Sequence, residues 1–414
     1  MNSSLLQGRV FLFFKKEEIN MTNVSTVASI TDFLTPAVRE MPPSGIRKFF
    51  EYSTGRKDIV SLGVGEPDFV TPQHVIKACI TALENGKTSY TPNAGLPELR
   101  EEIAGYLESS FNTSYNPANE IMVTIGSSEA LDLALRALIT EHDEILIPDP
   151  CYISYAPITF LNGGHTVTVE TSADQQFKLT AEALKAKLSP RSKVLILCYP
   201  NNPTGGIMTY EDWLPIARLV EEHNLVVISD EIYAELTYGQ RHASFAALPG
   251  MKERTLLISG FSKAFAMTGW RVGYVCGPRE LIAAMLKIHQ YTAMCAPIIG
   301  QIAAIESLRN GLEEKDRMME SYNLRRKWFV ESLCQTGLPC HEPNGTFYAF
   351  PSIMHTGLSS EQFAKRLLDE EGVITVPGSA FGPGGEGFIR CSYASSREQL
   401  EMALERIGVF LKRL

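Results

Sequence analysis

Residues 259–274 read SGFSKAFAMTGWRVGY and set one amine, Lys263, among small and apolar side chains. The next charged residues along the chain are Arg254 and Arg271. Desolvation disfavours an ammonium in such surroundings and favours the neutral, nucleophilic amine. Read alone, Lys263 is equally a lysine reaching from a partly buried turn to water. Other polar residues recur in similar places, each directly after a short apolar run. Ser127 and Ser128 open a helical pattern, where free N–H groups and the helix dipole suit an anion, although a plain N-cap is the commoner use. Asn202 lies in the turn NNPTGG and is held extended by Pro203, so its amide either points at a ligand from a stiff loop or faces solvent. Asp230 follows LVVIS, where a carboxylate must be solvated, cap a helix or pair with a cation; Tyr233 is a core aromatic or a phenol donor. With Lys263 and Arg271 these make an amine, an acid, an amide, a phenol, a guanidinium and a serine pair, a set hard to attribute to six independent accidents.

The elements that must position them are legible as alternating runs. EIMVTIG (120–126), DEILIPD (143–149), HTVTVET (165–171), KVLILCYP (193–200), LVVISDE (225–231), TLLISG (255–260) and WRVGYVCG (270–277) are expected strands, Arg271 beginning the last of them. Unbroken Val/Ile/Leu runs suit a sheet covered on both faces. SSEALDLALRALI (127–139) and TYEDWLPIARLVEEH (209–223) are expected helices, the first with Ala130, Leu131, Ala134, Leu135 and Leu138 on one face. The result is an α/β arrangement with a mostly parallel sheet, in which ligands sit outside the carboxyl ends of the strands. Residues from Leu281 to about Arg325 read as one long helix. The helix SSEQFAKRLLDEEG, the strands VITVPG and GFIRCSYA and a closing helix from Ser396 then form a smaller α+β unit. The expected division is a leader over 1–32, a segment over 33–70 joining the smaller unit, a large domain over 71–310 and a C-terminal domain over 311–414.

The chemistry that uses such a set is that of pyridoxal 5'-phosphate. A lysine bonds the cofactor aldehyde, and a carboxylate pairs with the pyridinium nitrogen. A phenol and an amide donate to the ring oxygen, and an arginine with a helix N-terminus holds the phosphate. LGVGEPDFVTP, TSYTPNAGLPELR, YPNNPTGG, SDEIYAEL, SGFSKAFAMTGWRVGY and FIRCSYA, in this order, resemble the class I aminotransferases of fold type I, most of all the bacterial and archaeal aspartate, alanine and aromatic branch. The resemblance runs from about Pro43 to the C-terminus. It implies Lys263 as the cofactor-bonding lysine, Asp230 as the pyridinium partner, and Tyr233 and Asn202 as ligands of the ring oxygen. It implies Arg271 as the phosphate arginine, helped by Ser127, Ser128 and Ser262, and Tyr152 as the aromatic stacked on the ring. Tyr90 matches a tyrosine that reaches the phosphate in the neighbouring subunit, which makes the active unit a homodimer with shared sites. Arg390 matches the arginine gripping the substrate α-carboxylate, beside Asn202 and the backbone N–H of Gly65.

The resemblance also implies the reaction: a ping-pong transfer of the amino group from an L-amino acid to a 2-oxo acid, 2-oxoglutarate being the expected acceptor. Dicarboxylate-specific members supply an arginine from the other subunit for the distal carboxylate, and the matching stretch here, KIHQYTAMCAPIIG, has none. Another branch carries a lysine where this chain has Ser128. Alanine, aromatic or broad donors are therefore expected, with Tyr291 near the substrate side chain. An aspartate-preferring enzyme and a lyase of the same fold are the alternatives. A regulator that senses the cofactor would need a DNA-binding module ahead of the resemblance, and the roughly forty residues there hold no basic helix-turn-helix pattern.

Composition bounds the remaining classes. The chain has 414 residues, 44% hydrophobic and 21% charged, with a net charge of −9. That acidity, and the lack of a basic stretch interleaved with aromatics, argue against nucleic acid as a partner and favour small molecules. Eight scattered cysteines without a C-x-x-C pair read as reduced thiols of a cytoplasmic protein, with no metal site expected. The apolar run Val10–Phe14 is too short for a signal-peptide core or a membrane span. The leader is expected to be loosely attached, with Met21 an alternative start.

Overall fold

The computed structural model describes residues 30–41 and 58–414. Most of the expected leader, with Val10–Phe14 and Met21, and residues 42–57 of the expected joining segment lie outside the described residues. Residues 30–41 belong to a separate unit, holding one 3-10 turn at Ile30–Phe33 and a short helix, Pro36–Glu40, that starts on a proline.

In the second unit the strands in chain order are β1 (Val60–Ser61), β2 (Ile121–Thr124), β3 (Glu144–Asp149), β4 (His165–Glu170), β5 (Ser192–Cys198), β6 (Val226–Asp230), β7 (Thr255–Gly260), β8 (Gly273–Cys276), β9 (Tyr348–Ala349), β10 (Val373–Ile374), β11 (Val376–Pro377) and β12 (Ile389–Ser392). Seven of them build one sheet in the order β2-β8-β7-β6-β5-β3-β4. Every pairing is parallel except those of β8, which runs against both β2 and β7.

The apolar runs are continuous because both faces are covered. Ile145, Ile147, Val194, Ile196 and Ile228 point to one side, where they meet Ala130, Leu131, Ala134 and Leu135 of the helix Gly126–Leu138. Their neighbours Leu146, Leu195, Leu197 and Val227 point to the other, against Trp213, Ile216 and Val220 of the helix Tyr210–Glu222. Alternate residues of a strand face opposite ways, so a run with no polar break requires two apolar partners. Each such leucine or isoleucine contributes about 1.5–3 kcal/mol on burial. The second helix starts on a reciprocal cap, in which the Thr209 side chain accepts from the Asp212 N–H and the Asp212 side chain from the Thr209 N–H.

Three expectations need correction. The stretch read as one helix from Leu281 is three helices, Arg279–Thr292, Ile298–Asn310 and Leu312–Thr336. Pro297 cannot continue the first, and Gly311 separates the other two. VITVPG is not one strand: β10 pairs with β1, whereas β11, one residue later, pairs with β12 in another sheet. Arg271 does not begin β8. It follows the 3-10 turn Thr268–Trp270 in the left-handed region (φ 53°), two residues before the strand.

Candidate active site

Because β8 runs backwards, the segment leading into it reaches the edge where β5, β6 and β7 end. Arg271 therefore faces the same space as Asp230, which ends β6, and Ser262 and Lys263, which follow β7. That space is a cavity of about 570 Å³. Of the twelve expected site residues, it gathers Lys263, Ser127, Ser128, Tyr152, Asn202, Asp230, Tyr233, Ser262, Arg271, Gly65 and Arg390. Tyr90 is not among its walls and is 82% exposed.

One wall of the cavity is the start of the helix Gly126–Leu138. A serine capping that helix would do so from the cap position, but the cap falls on Ile125, and no side chain caps the helix. The Ser127 and Ser128 side chains are thus not spent on the cap and line the cavity beside the first turn of the helix. Gly126 has φ 71°, and a Cβ there would come within 2.7 Å of Arg271 Nη2. A side chain would displace the guanidinium from the helix terminus, so glycine is required on both counts. Serines, helix N-terminus and arginine together can hold a phosphate.

Asp230, another wall of the cavity, is buried, and both carboxylate oxygens have donors. Tyr155 Oη donates to Oδ2 at 2.8 Å, and the Ile232 N–H to Oδ1 at 3.3 Å. Burial pushes its pKa up to about 6, against the lowering effect of the Tyr155 hydrogen bond. Such a carboxylate gains most from a cation placed against it. Its alternative use as a helix cap is absent, since no helix begins there.

Lys263 lines the same cavity from a turn that continues into the buried Ala264 and Phe265. Its Nζ donates to the Gly65 carbonyl at 2.5 Å and lies 5.7 Å from the ring centres of Tyr233 and Phe347. Burial lowers its pKa to about 8, and Arg390 and then Arg271 act in the same sense while Glu66 and Asp230 oppose them. The amine is therefore neutral in about a tenth of molecules at pH 7, a far greater share than for an ordinary lysine, and the neutral form is the one that acts as nucleophile or base.

Arg390, on β12, is 3% exposed. Nη1 donates to Asn202 Oδ1 at 2.9 Å and Nη2 to the Gly63 carbonyl at 2.8 Å, while Nε is buried without a partner. The guanidinium lies 4.2 Å from the Tyr348 ring centre and 4.9 Å from that of Phe381. A planar cation held this firmly, with an unused donor, suits a carboxylate.

Two residues that the sequence did not disclose stand out. Tyr155 buttresses Asp230, and Tyr348 lies 2.9 Å, oxygen to oxygen, from Tyr233. Tyr155 is three residues after Tyr152 in PDPCYISY, a spacing that puts both on one side of a helix start. For Tyr348 the chain order offers no comparable signal.

The "Aminotransferase class I and II" family profile matches residues 57–407. The chain belongs to this family. An aspartate aminotransferase of Pyrococcus abyssi is 45% identical over 89% of this chain and 96% of its own length. The Bacillus subtilis protein YugH, whose name assigns it provisionally to the aminotransferases, is 54% identical over 93% of this chain and its entire own length. The crystal structure of an aromatic aminotransferase from Pyrococcus horikoshii superposes with a TM-score of 0.85 at 43% identity, covering 89% of this chain and 99% of that one.

Class I aminotransferases use pyridoxal 5'-phosphate, and the cavity fits that group. Its walls offer uncapped helix donors beside an arginine, a desolvated carboxylate and a low-pKa amine. Among the described residues no cluster of His, Cys, Asp or Glu could hold a metal, and no helix is long and apolar enough to cross a membrane.

Proposed function

We propose that this aminotransferase takes alanine, aromatic or a broad range of L-amino acids as donors and 2-oxoglutarate as acceptor. The exchange is ping-pong, the first 2-oxo acid leaving before the second enters. One observation carries the donor reading. Among the described residues the cations lining the cavity are Lys263, Arg271 and Arg390, and each has a proposed duty other than a distal carboxylate. The rest of the wall includes Val64, Leu131 and Ile153 with the Glu66 carboxylate, which repels a second negative charge.

Pyridoxal 5'-phosphate, when bound, supplies an aldehyde that takes the amino group and a ring that accepts the electron pair left at the α-carbon. Ser127, Ser128, Ser262 and Arg271 hold its phosphate, Asp230 its ring nitrogen, Tyr233 and Asn202 its ring oxygen, and Tyr152 its ring face. Arg390 and the Gly65 N–H orient the substrate carboxylate. Lys263 Nζ takes the proton from the α-carbon, and its lowered pKa supports that role.

A homodimer with Tyr90 completing the partner's phosphate site belongs to the same proposal, as does the division into domains over 71–310 and 311–414. Asn93 donates to the Met294 carbonyl at 2.7 Å, joining the loop that bears Tyr90 to the end of the helix that bears Tyr291. Both tyrosines stand more than four-fifths exposed on this surface, available to a second chain.

The substrate test offers alanine, phenylalanine, tyrosine and aspartate against 2-oxoglutarate, pyruvate and phenylpyruvate. Alanine or an aromatic donor is expected to exceed aspartate in kcat/KM by about tenfold or more. Aspartate as the best donor overturns the reading. Mixing Tyr90→Ala and Lys263→Ala subunits tests the shared site: restored activity is expected, and no rescue in a demonstrated mixed dimer contradicts it.

A further inference from the structure

We propose that Tyr348 is a positioning residue that aims the Tyr233 proton into the cavity and links the carboxylate arginine to the ring-oxygen end of the site. This rests on the role proposed above for Tyr233.

The argument starts from proton counting. The Tyr233 and Tyr348 hydroxyls lie 2.9 Å apart, and either can donate to the other. Each carries one proton. If Tyr233 gives its proton to Tyr348, none is left for an acceptor in the cavity. Once Tyr233 donates to a ring oxygen, the pair has a single consistent order: Tyr348 donates to Tyr233, and Tyr233 donates onward. A chain ordered in this way is polarised, and each bond strengthens the next.

Tyr348 is fixed well enough to impose that order. It is 1% exposed, on β9, where its backbone is opposite Ser392 of β12, two residues from Arg390. Its N–H donates to Thr346 Oγ1 at 3.1 Å, and its ring lies under the Arg390 guanidinium. A Cβ added at Gly65 would come within 2.6 Å of its hydroxyl, so that glycine leaves room for it. The charged and titratable groups facing it are Arg390, Tyr233, Tyr152 and Cys198. One phenol thus touches the cation that meets the substrate carboxylate and the donor that meets the cofactor. A carboxylate that draws on the Arg390 charge alters the field at Tyr348, and the change reaches the ring oxygen through Tyr233.

The test is a pH titration of the absorption of bound cofactor in the wild type, Tyr233→Phe, Tyr348→Phe and the double variant. A donor to the ring oxygen withdraws negative charge and lowers the proton affinity of the nitrogen conjugated with it. Removing the Tyr348 hydroxyl should therefore move the midpoint to higher pH, by on the order of half a pH unit. In the Tyr233→Phe background the same change should have no further effect. Gly65→Ala, which crowds the Tyr348 hydroxyl while leaving both phenols in the chain, should move the midpoint in the same direction. A wild-type midpoint in either Tyr348→Phe or Gly65→Ala overturns the proposal. So does an equal shift from Tyr348→Phe with and without Tyr233, which would mean that Tyr348 acts on its own. A wild-type midpoint in Tyr233→Phe overturns the Tyr233 role as well, so the two failures are distinguishable.

Discussion

Two arginines face one cavity and are held in opposite ways. Arg390 is buried, bonded to Asn202 and Gly63 and flanked by two aromatic rings. Arg271 is exposed, has left-handed backbone, donates to the Thr268 carbonyl at 3.0 Å and rests on a glycine at a helix terminus. The difference separates two kinds of anion binding. In the proposed assignment one desolvated guanidinium, helped by the Gly65 N–H, carries most of the recognition of the substrate carboxylate in one fixed geometry. In the same assignment the phosphate is shared among a guanidinium, serine hydroxyls and several backbone N–H groups, so no single group is decisive.

The sharpest way to break this comparison is to remove each charge in turn. Arg390→Leu should lower kcat/KM for the amino donor by about 10³-fold, since it removes a buried, charge-assisted pair of hydrogen bonds. Initial-rate kinetics read that loss, while the absorption of bound cofactor should persist. A loss below about tenfold would mean that the carboxylate is gripped elsewhere. Arg271→Leu should weaken retention of the cofactor by roughly 10- to 100-fold, because the serines and the helix terminus remain. Equilibrium titration of the cofactor-free protein measures it, with KM for the donor changing much less. If the two variants exchange phenotypes, the assignment of the two arginines is reversed.

A smaller effect sharpens the same contrast. With its pKa near 8, Lys263 loses its proton as pH rises through that value. Capture of pyridoxal 5'-phosphate by the cofactor-free protein should therefore accelerate about tenfold per pH unit below 8 and level off above it. Arg390 lowers the lysine pKa more than Arg271 does. The onset of the plateau should accordingly move to higher pH in Arg390→Leu, and by less in Arg271→Leu. Stopped-flow absorbance across pH 6–10 checks both the position and the order of these shifts.

Much of this was legible in the chain because parallel strands buried on both faces leave unbroken apolar runs. All seven runs read as strands are strands of the large sheet, and polar residues that follow β2, β3, β5, β6 and β7 line the cavity. Strand direction was not legible: β8 reads like its neighbours, and only its pairing with β2 and β7 shows it reversed. That reversal brings Arg271 to the site. Tyr348 was hidden for a related reason. GTFYAF reads as apolar filling, and only the pairing of β9 with β12 brings its phenol under Arg390 and against Tyr233. Composition registers that a tyrosine is buried; what its hydroxyl meets depends on elements more than a hundred residues away.

The central claim is that Lys263 is the amine on which the cofactor is carried. Borohydride reduction of the cofactor-loaded protein, followed by proteolysis and mass spectrometry of the peptides, tests it directly. One reduced cofactor per chain on Lys263, in the peptide containing SGFSKAFAM, is the predicted result. Reduced cofactor on another lysine, or the same yield of labelled chain from Lys263→Ala, would contradict the account.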